Sequence, residues 1–155
     1  RFRATPRGVW CVGDAALEGT DYDRVGGGSM VRARLNIGGI PVVDAGLRLK
    51  FTRENKVSAV YSQMPSGMEV DGAFVLTPEE ARAVVASLRL KKGSGVAGRE
   101  CSAVYFRIGR RLVPAYRCAL VAADIISSHA VFVSAVDGDL IAVRPLAVGK
   151  PEVER

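Results

Sequence analysis

Two cysteines and a proline hold the C-terminal half of this chain to a single strand register. Gly109-Arg110 lies between two runs of strand composition, Ser102–Ile108 and Arg111–Val121. A two-residue loop that begins with glycine suits a tight β-hairpin. With that loop, Ile108 faces Arg111. Cys101, eight residues before Gly109, then faces Cys118, eight residues after Arg110. Pairs alternate between hydrogen-bonded and non-hydrogen-bonded outward from the turn. Counting from a hydrogen-bonded Ile108–Arg111 pair, Cys101–Cys118 falls on a non-hydrogen-bonded site, where Cα atoms approach most closely. A cross-strand disulfide fits there. Pro114, opposite Tyr105, falls on another such site, where its missing N–H costs the ladder nothing. The alternative is a pair of reduced, buried cysteines. A disulfide would place the protein in an oxidising compartment. The third cysteine, Cys11, sits between Trp10 and Val12 and reads as a small buried hydrophobe.

Upstream, period-2 patterning predicts an antiparallel meander. Val31–Ile37 alternates apolar and polar residues, and Gly38-Gly39 is a two-residue hairpin signal. Ile40–Val43 begins the return strand, Asp44-Ala45-Gly46 is a bulge signal, and Leu47–Phe51 alternates again. Arg53-Glu54-Asn55 is the next turn, with Asn tolerant of positive φ, and Val57–Tyr61 the third strand. Residues 1–28 yield only a short strand around Val9–Val12 and a glycine connector at Gly26-Gly27-Gly28. Pro65-Ser66-Gly67 reads as a linker.

Thr77-Pro78-Glu79-Glu80 is a strong helix start. Thr77 serves as cap, Pro78 suits the first helical position, and Glu80 completes a capping box. Ala81, Val84, Val85 and Leu88 share one face at helical spacing. Ala130–Ser134 and Leu140–Val143 form a last hairpin around Val136–Asp139. In the Cys101–Cys118 hairpin, Val104, Phe106, Ile108, Val113 and Ala115 share an apolar face that is expected to meet the helix. Cys101, Ala103, Tyr105, Arg107, Leu112, Tyr116 and Cys118 form the other face, open to solvent, to the N-terminal half or to a partner. Strands grouped apart from a single helix argue for α+β, with antiparallel sheets packed on a helix.

Composition narrows the class. At 155 residues, with 48% hydrophobic and 25% charged residues, the chain is long enough for a folded core. No apolar run reaches the roughly 20 residues of a membrane-spanning helix. The chain begins at Arg1, and an upstream segment, the place for a secretion signal, is expected before it. The net charge of +6 is scattered, in short groups such as Arg110-Arg111 and Lys91-Lys92. A solvated surface is the plain reading. Binding to an acidic partner or to nucleic acid is the other, and the latter requires affinity that falls steeply with salt.

Catalytic chemistry finds no foothold in the sequence. His129 is the sole histidine and has no spaced Cys or His cluster around it; neither HExxH nor GxSxG occurs. Gly93–Gly98 matches GxGxxG, but a helix precedes it and a strand follows, the reverse of a dinucleotide site. Asp137-Gly138-Asp139 is a turn without the further oxygen ligands of a calcium loop. The expectation is no catalytic residue, no metal site and no cofactor.

Two longer segments resemble a known family pair. Ala103–Arg117, AVYFRIGRRLVPAYR, resembles the VYFP…G.L.PAYEV hairpin of PepSY domains, and Ala130–Ile141, AVFVSAVDGDLI, their VFVDA.TGEVL hairpin. Leu76–Ala81 resembles the opening of the PepSY helix. Val31–Val60, with Asn36–Val43 and the Asn55-Lys56-Val57 turn, resembles the YNGIPVFG…V.VD.DGKVVSV pattern of the fungalysin/thermolysin propeptide (FTP) domain. Val43-Asp44-Ala45 departs from a common Phe-Gly pair, and Ser134 from a common aspartate. The resemblance implies a cystatin-like fold in two halves, FTP-like over 1–68 and PepSY-like over 69–147, with an extended tail over 148–155. It further implies a propeptide that acts as intramolecular chaperone and inhibitor of a secreted thermolysin-like or fungalysin-like metalloprotease. The expected partner is that protease domain, in the same or a separate chain, with no nucleic acid and no membrane span. The expected location is secreted or in the cell envelope. The partner-binding candidates are Tyr105, Tyr116, Arg107 and Pro151. The alternative function is a stand-alone extracellular or envelope module for binding or assembly.

Overall fold

A computed structural model describes residues 3–4, 10–12, 15–25, 28–63, 69–88, 96–121 and 128–146. The chain divides into two compact units. One comprises Arg1–Val70 with Tyr105–Leu112; the other comprises Asp71–Val104 with Val113–Arg155.

The first unit is a meander of antiparallel strands, each hydrogen-bonded to the next. They are β1 (Arg3–Ala4), β2 (Trp10–Val12), β3 (Ala15–Val25), β4 (Gly28–Ile37), β5 (Ile40–Phe51) and β6 (Val57–Gln63). Gly38 and Gly39 take φ of +56° and +82° between β4 and β5, so both central turn residues are left-handed and Ile37 pairs with Ile40. Asn55, φ +58°, completes the turn into β6. Thr52 Oγ1 caps that turn, accepting from the N–H groups of Glu54 and Lys56.

The ladder between β4 and β5 contains a large bulge. Arg34 pairs with Gly46 but Asn36 pairs with Pro41, so the four residues Val42–Ala45 stand opposite the single residue Leu35. Asp44 lies in the bulge with φ +58°, a left-handed backbone that Asp tolerates better than most non-glycine residues, for which it costs about 1–2 kcal/mol. Gly46 closes it where a Cβ would strike the Ala33 carbonyl oxygen. The bulge lets Val42 and Ala45 join Leu17, Leu35 and Leu112 in the core of this unit, with Ala33, Ile37, Leu47 and Tyr105 packed around them.

Two pairings in this unit are parallel. Val42 bridges Tyr105 of β8 (Val96–Ile108), and β7 (Glu69–Val70) lies beside Arg111 and Leu112 of β9 (Arg111–Val121).

The second unit holds the helix α1 (Pro78–Ser87), the remainder of β8 and β9, and the strands β10 (His129–Ser134) and β11 (Leu140–Pro145). β10 lies between β9 and β11 in an antiparallel order, and Ala130–Ser134 are all buried. The helix starts as expected. Thr77 Oγ1 accepts from the Glu80 N–H while the Glu80 carboxylate accepts from the Thr77 N–H, and Pro78 opens the first turn. Ala81 and Val85 are buried against Tyr116, Cys118, Leu120, Val131, Val133 and Ala135. Full burial of a side chain the size of Val85 is worth about 1.5–3 kcal/mol.

Three expectations are corrected here. The fold is not a cystatin-like α+β arrangement. It is mostly β, with eleven strands, one ten-residue helix and mixed pairing among the described residues. A ten-residue helix is only about 15 Å long and cannot span such a sheet. The N-terminal residues, in which one short strand was expected, contribute three strands. The longest, β3, carries Glu18, Gly19, Asp21 and Asp23, residues of low strand propensity. Its ladder with β4 determines its state instead. The third correction concerns the hairpin faces. The helix packs on the face of Tyr116 and Cys118, with Cys101 and Ala103 beside it, not on the face of Val104 and Phe106. Val104, Phe106 and Ala115 are buried as well, so burial does not distinguish the two faces and apolarity alone misassigns the helix side.

Cys101 and Cys118 form the expected disulfide, with Cα atoms 4.3 Å apart, the spacing of a non-hydrogen-bonded cross-strand pair. Closure of a 17-residue separation constrains the unfolded chain by about 3 kcal/mol. Reduction should therefore lower unfolding stability by about that amount, read as a shift in urea midpoint with and without reductant. Asp44→Val should cost a further, separate ~1–2 kcal/mol through its left-handed backbone, and Asp44→Gly clearly less. Equal loss from the two substitutions would mean that backbone strain at the bulge is not what matters.

Candidate functional site

The residues nominated from sequence separate in the structure. Tyr116, on β9, is 6% exposed. Its hydroxyl donates to the Leu76 carbonyl at 2.8 Å, and its ring meets Phe74 edge-on at 5.7 Å between centroids. It ties the approach to α1 onto the sheet. Tyr105 is half-buried beside the core of the first unit. Arg107 is exposed, and its Nε donates to the Gly109 carbonyl at 3.2 Å, which folds the side chain back onto its own turn. Pro151, the Pro65-Ser66-Gly67 linker and the first residues of Gly93–Gly98 lie outside the described residues; Val96–Gly98 are strand.

The sequence motifs resolve into structural devices. Ser134 Oγ accepts from the N–H groups of Val136 and Asp137, and Asp137 Oδ1 accepts from the Asp139 N–H. A side-chain hydrogen bond from Ser134, and then the Asp139 N–H, hold the Asp137 carboxyl below its ordinary pKa. Asp137-Gly138-Asp139 is thus a side-chain-capped turn, with Gly138 at φ +82°. The next residue, Ala135, is a junction. Its carbonyl accepts from both Val75 and Leu76, and its N–H donates to the Pro114 carbonyl. His129 pairs with Leu120 and Pro145, and its Nδ1 is buried without a hydrogen-bond partner. Among the described residues, no three His, Cys, Asp or Glu side chains gather as a metal site requires, and no helix is long and apolar enough to cross a membrane.

What the sequence reading missed is the outer edge of the first unit. β6 pairs with β5 and with no other described strand, and it exposes apolar side chains on both faces. Val57 and Val60 are 55% and 57% exposed on one face, and Tyr61 is 59% exposed on the other. An edge strand presents unpaired main-chain N–H and C=O groups, and natural proteins shield such edges when nothing binds them. The sequence signal was present in Val57-Ser58-Ala59-Val60-Tyr61, which breaks clean alternation. From sequence, a strand apolar on both faces reads as buried, and only the topology places it at an edge.

The face of β5 and β6 that carries Tyr61 is basic. Arg48 pairs with Arg32 of β4 on one side and Tyr61 on the other, while Lys50 pairs with Met30 and Ala59. Arg34, Arg48 and Lys50 are exposed. Directly opposed like charges disfavour a sheet unless something negative lies close by.

Burial raises the Tyr116 hydroxyl above its ordinary pKa near 10, with Glu79 and then Glu80 adding to the shift. A raised folded-state value means that this stability is complete below pH 10 and is lost as pH rises through the folded pKa. Urea midpoints should therefore fall above pH 10. Tyr116→Phe should lower stability by ~1 kcal/mol near neutrality and flatten that alkaline fall. An unchanged alkaline slope in the variant would remove Tyr116 as the cause.

No family model matches this chain, and no curated protein matches it.

Proposed function

We propose that this chain works by presenting a β-sheet surface to another protein outside the cytoplasm, and that it transforms no substrate itself. The observation that carries the reading is β6, an edge strand with exposed Val57, Val60 and Tyr61. Such an edge is a hazard for a protein that binds nothing and a ready template for one that does. The Cys101–Cys118 disulfide supports an oxidising, extracytoplasmic setting.

The resemblance to FTP and PepSY segments narrows the partner to a secreted metalloprotease, which the chain would help to fold and hold inactive. A second reading is the stand-alone extracellular or envelope module. The β-dominated architecture, which the propeptide resemblance did not imply, favours it.

The discriminating experiment adds the oxidised chain, at micromolar concentration, to its cognate thermolysin-like protease. Slower peptide hydrolysis, together with more activity recovered on refolding, is the outcome expected of a propeptide. If the chain changes neither, the protease partner is rejected and the stand-alone module stands.

A further inference from the structure

The bulge in β5 determines which chemistry the open edge offers. Because Val42–Ala45 stand opposite Leu35 alone, Arg48 and Lys50 face the same side as Arg32 and Arg34. Leu47, Leu49 and Phe51 face the other side with Val31 and Ala33. β6 continues both faces. Tyr61 and Ala59 extend the basic one, and Val60 and Val57 extend the apolar one.

The opposite flank of the same sheet shows what sequence completes such a surface. There β3 runs along β4 with Asp21 at the position opposite Arg32, Tyr22 opposite Val31 and Asp23 opposite Met30. An acidic–apolar–acidic run thus occupies the register beside the basic and apolar rows. On this flank β6 takes the place beside β5 and puts Tyr61 and Ala59 opposite Arg48 and Lys50, and beyond β6 no described strand follows. β6 supplies no charge of its own, since Val57–Gln63 contains neither acid nor base. A second copy pairing edge to edge through β6 would therefore leave Arg48 and Lys50 unneutralised. A nucleic acid would satisfy the basic face but not the apolar row of Val60 and Val57, nor the main-chain edge.

We propose that β6 receives an extended segment of a partner protein by strand addition. Its alternate residues are acidic on the face of Arg48 and Lys50, whose long side chains they meet across Tyr61 and Ala59, and apolar toward Val60. The proposal rests on the reading of the chain as a protein-binding module and specifies the site and the partner's pattern.

The test is titration of fluorescent octapeptides with the oxidised full chain. The probes are an alternating Glu-Val peptide, alternating Lys-Val and Glu-Ser controls, and two Glu-Val peptides N-methylated at one or the other set of alternate residues. Glu-Val should bind about tenfold tighter than either control, Lys-Val losing the charge attraction of Arg48 and Lys50 and Glu-Ser the apolar pairs with Val60 and Val57. One N-methylated peptide should lose binding and the other retain it, since only every second N–H of an added strand faces β6. Arg48→Glu combined with Lys50→Glu should weaken the Glu-Val peptide about tenfold without lowering the urea midpoint, since a Glu at 48 stands opposite Arg32. The N-methyl pair reads the wild-type chain and so does not depend on that variant folding. Equal affinity for Glu-Val and Lys-Val, equal effects of the two methylation sets, or displacement of the peptide by a DNA oligomer at equal charge would overturn the proposal. Failure here with protease inhibition intact removes only the edge assignment. Loss of inhibition with the Glu-Val peptide still bound removes only the metalloprotease partner.

Discussion

The first unit depends on the bulge at Val42–Ala45. Side chains in a strand alternate with period two, so an odd number of extra residues exchanges the faces of everything beyond them. Without the bulge, Leu47 and Leu49 would share a face with Arg32 and Arg34, and neither face could bury. With it, Leu47 joins Leu35 in the core while Arg48 and Lys50 stay outside. Asp44 in a left-handed conformation and Gly46 beneath the Ala33 carbonyl make the bulge sterically feasible. The same kink frees Val42 to bury and to bridge Tyr105.

The second unit is organised differently, by covalent and polar ties around a small apolar core. The disulfide joins β8 to β9, and Cys118 lies within the cluster that receives Ala81 and Val85 of the helix. Backbone bonds to Ala135 and the Tyr116 hydroxyl bond to Leu76 fix the segment leading into α1. With so short a helix, these ties set its position as much as its buried face does. Tyr116 is thus better understood as a structural anchor than as part of a recognition surface, because its hydroxyl is already engaged and its ring is enclosed.

The surface proposed to receive another protein lies instead where the meander stops. Among the described strands β6 has a neighbour on one side only, and its two faces extend rows that begin further in. The apolar row runs inward to the core residues Ala33 and Leu47, while the basic row runs across Arg48 to Arg32 and the acidic positions of β3. The sheet therefore ends with its pattern incomplete. An edge strand without charge, bordered by exposed basic residues, joins main-chain hydrogen-bonding capacity to a charge preference, the combination that gives strand addition its specificity.

Local chemistry was legible in the sequence where it was self-contained. The Gly38-Gly39 turn, the turn at Asn55, the capping box at Thr77 and Glu80, and the facing of Cys101 and Cys118 each follow from a few neighbouring residues and their steric or hydrogen-bonding demands. The existence of the bulge was legible too, in Asp44-Ala45-Gly46, but not its size. That size depends on a core in which both Val42 and Ala45 meet the distant Leu17 and Leu112. The strand state of Ala15–Val25, the side of the hairpin that receives the helix, and the position of β6 at an edge were likewise decided by tertiary structure. Each is a question of what lies across a ladder or against a face. A local pattern of apolar and polar residues marks a side chain as fit for burial, but the partner that buries it, or leaves it open, comes from elsewhere in the chain.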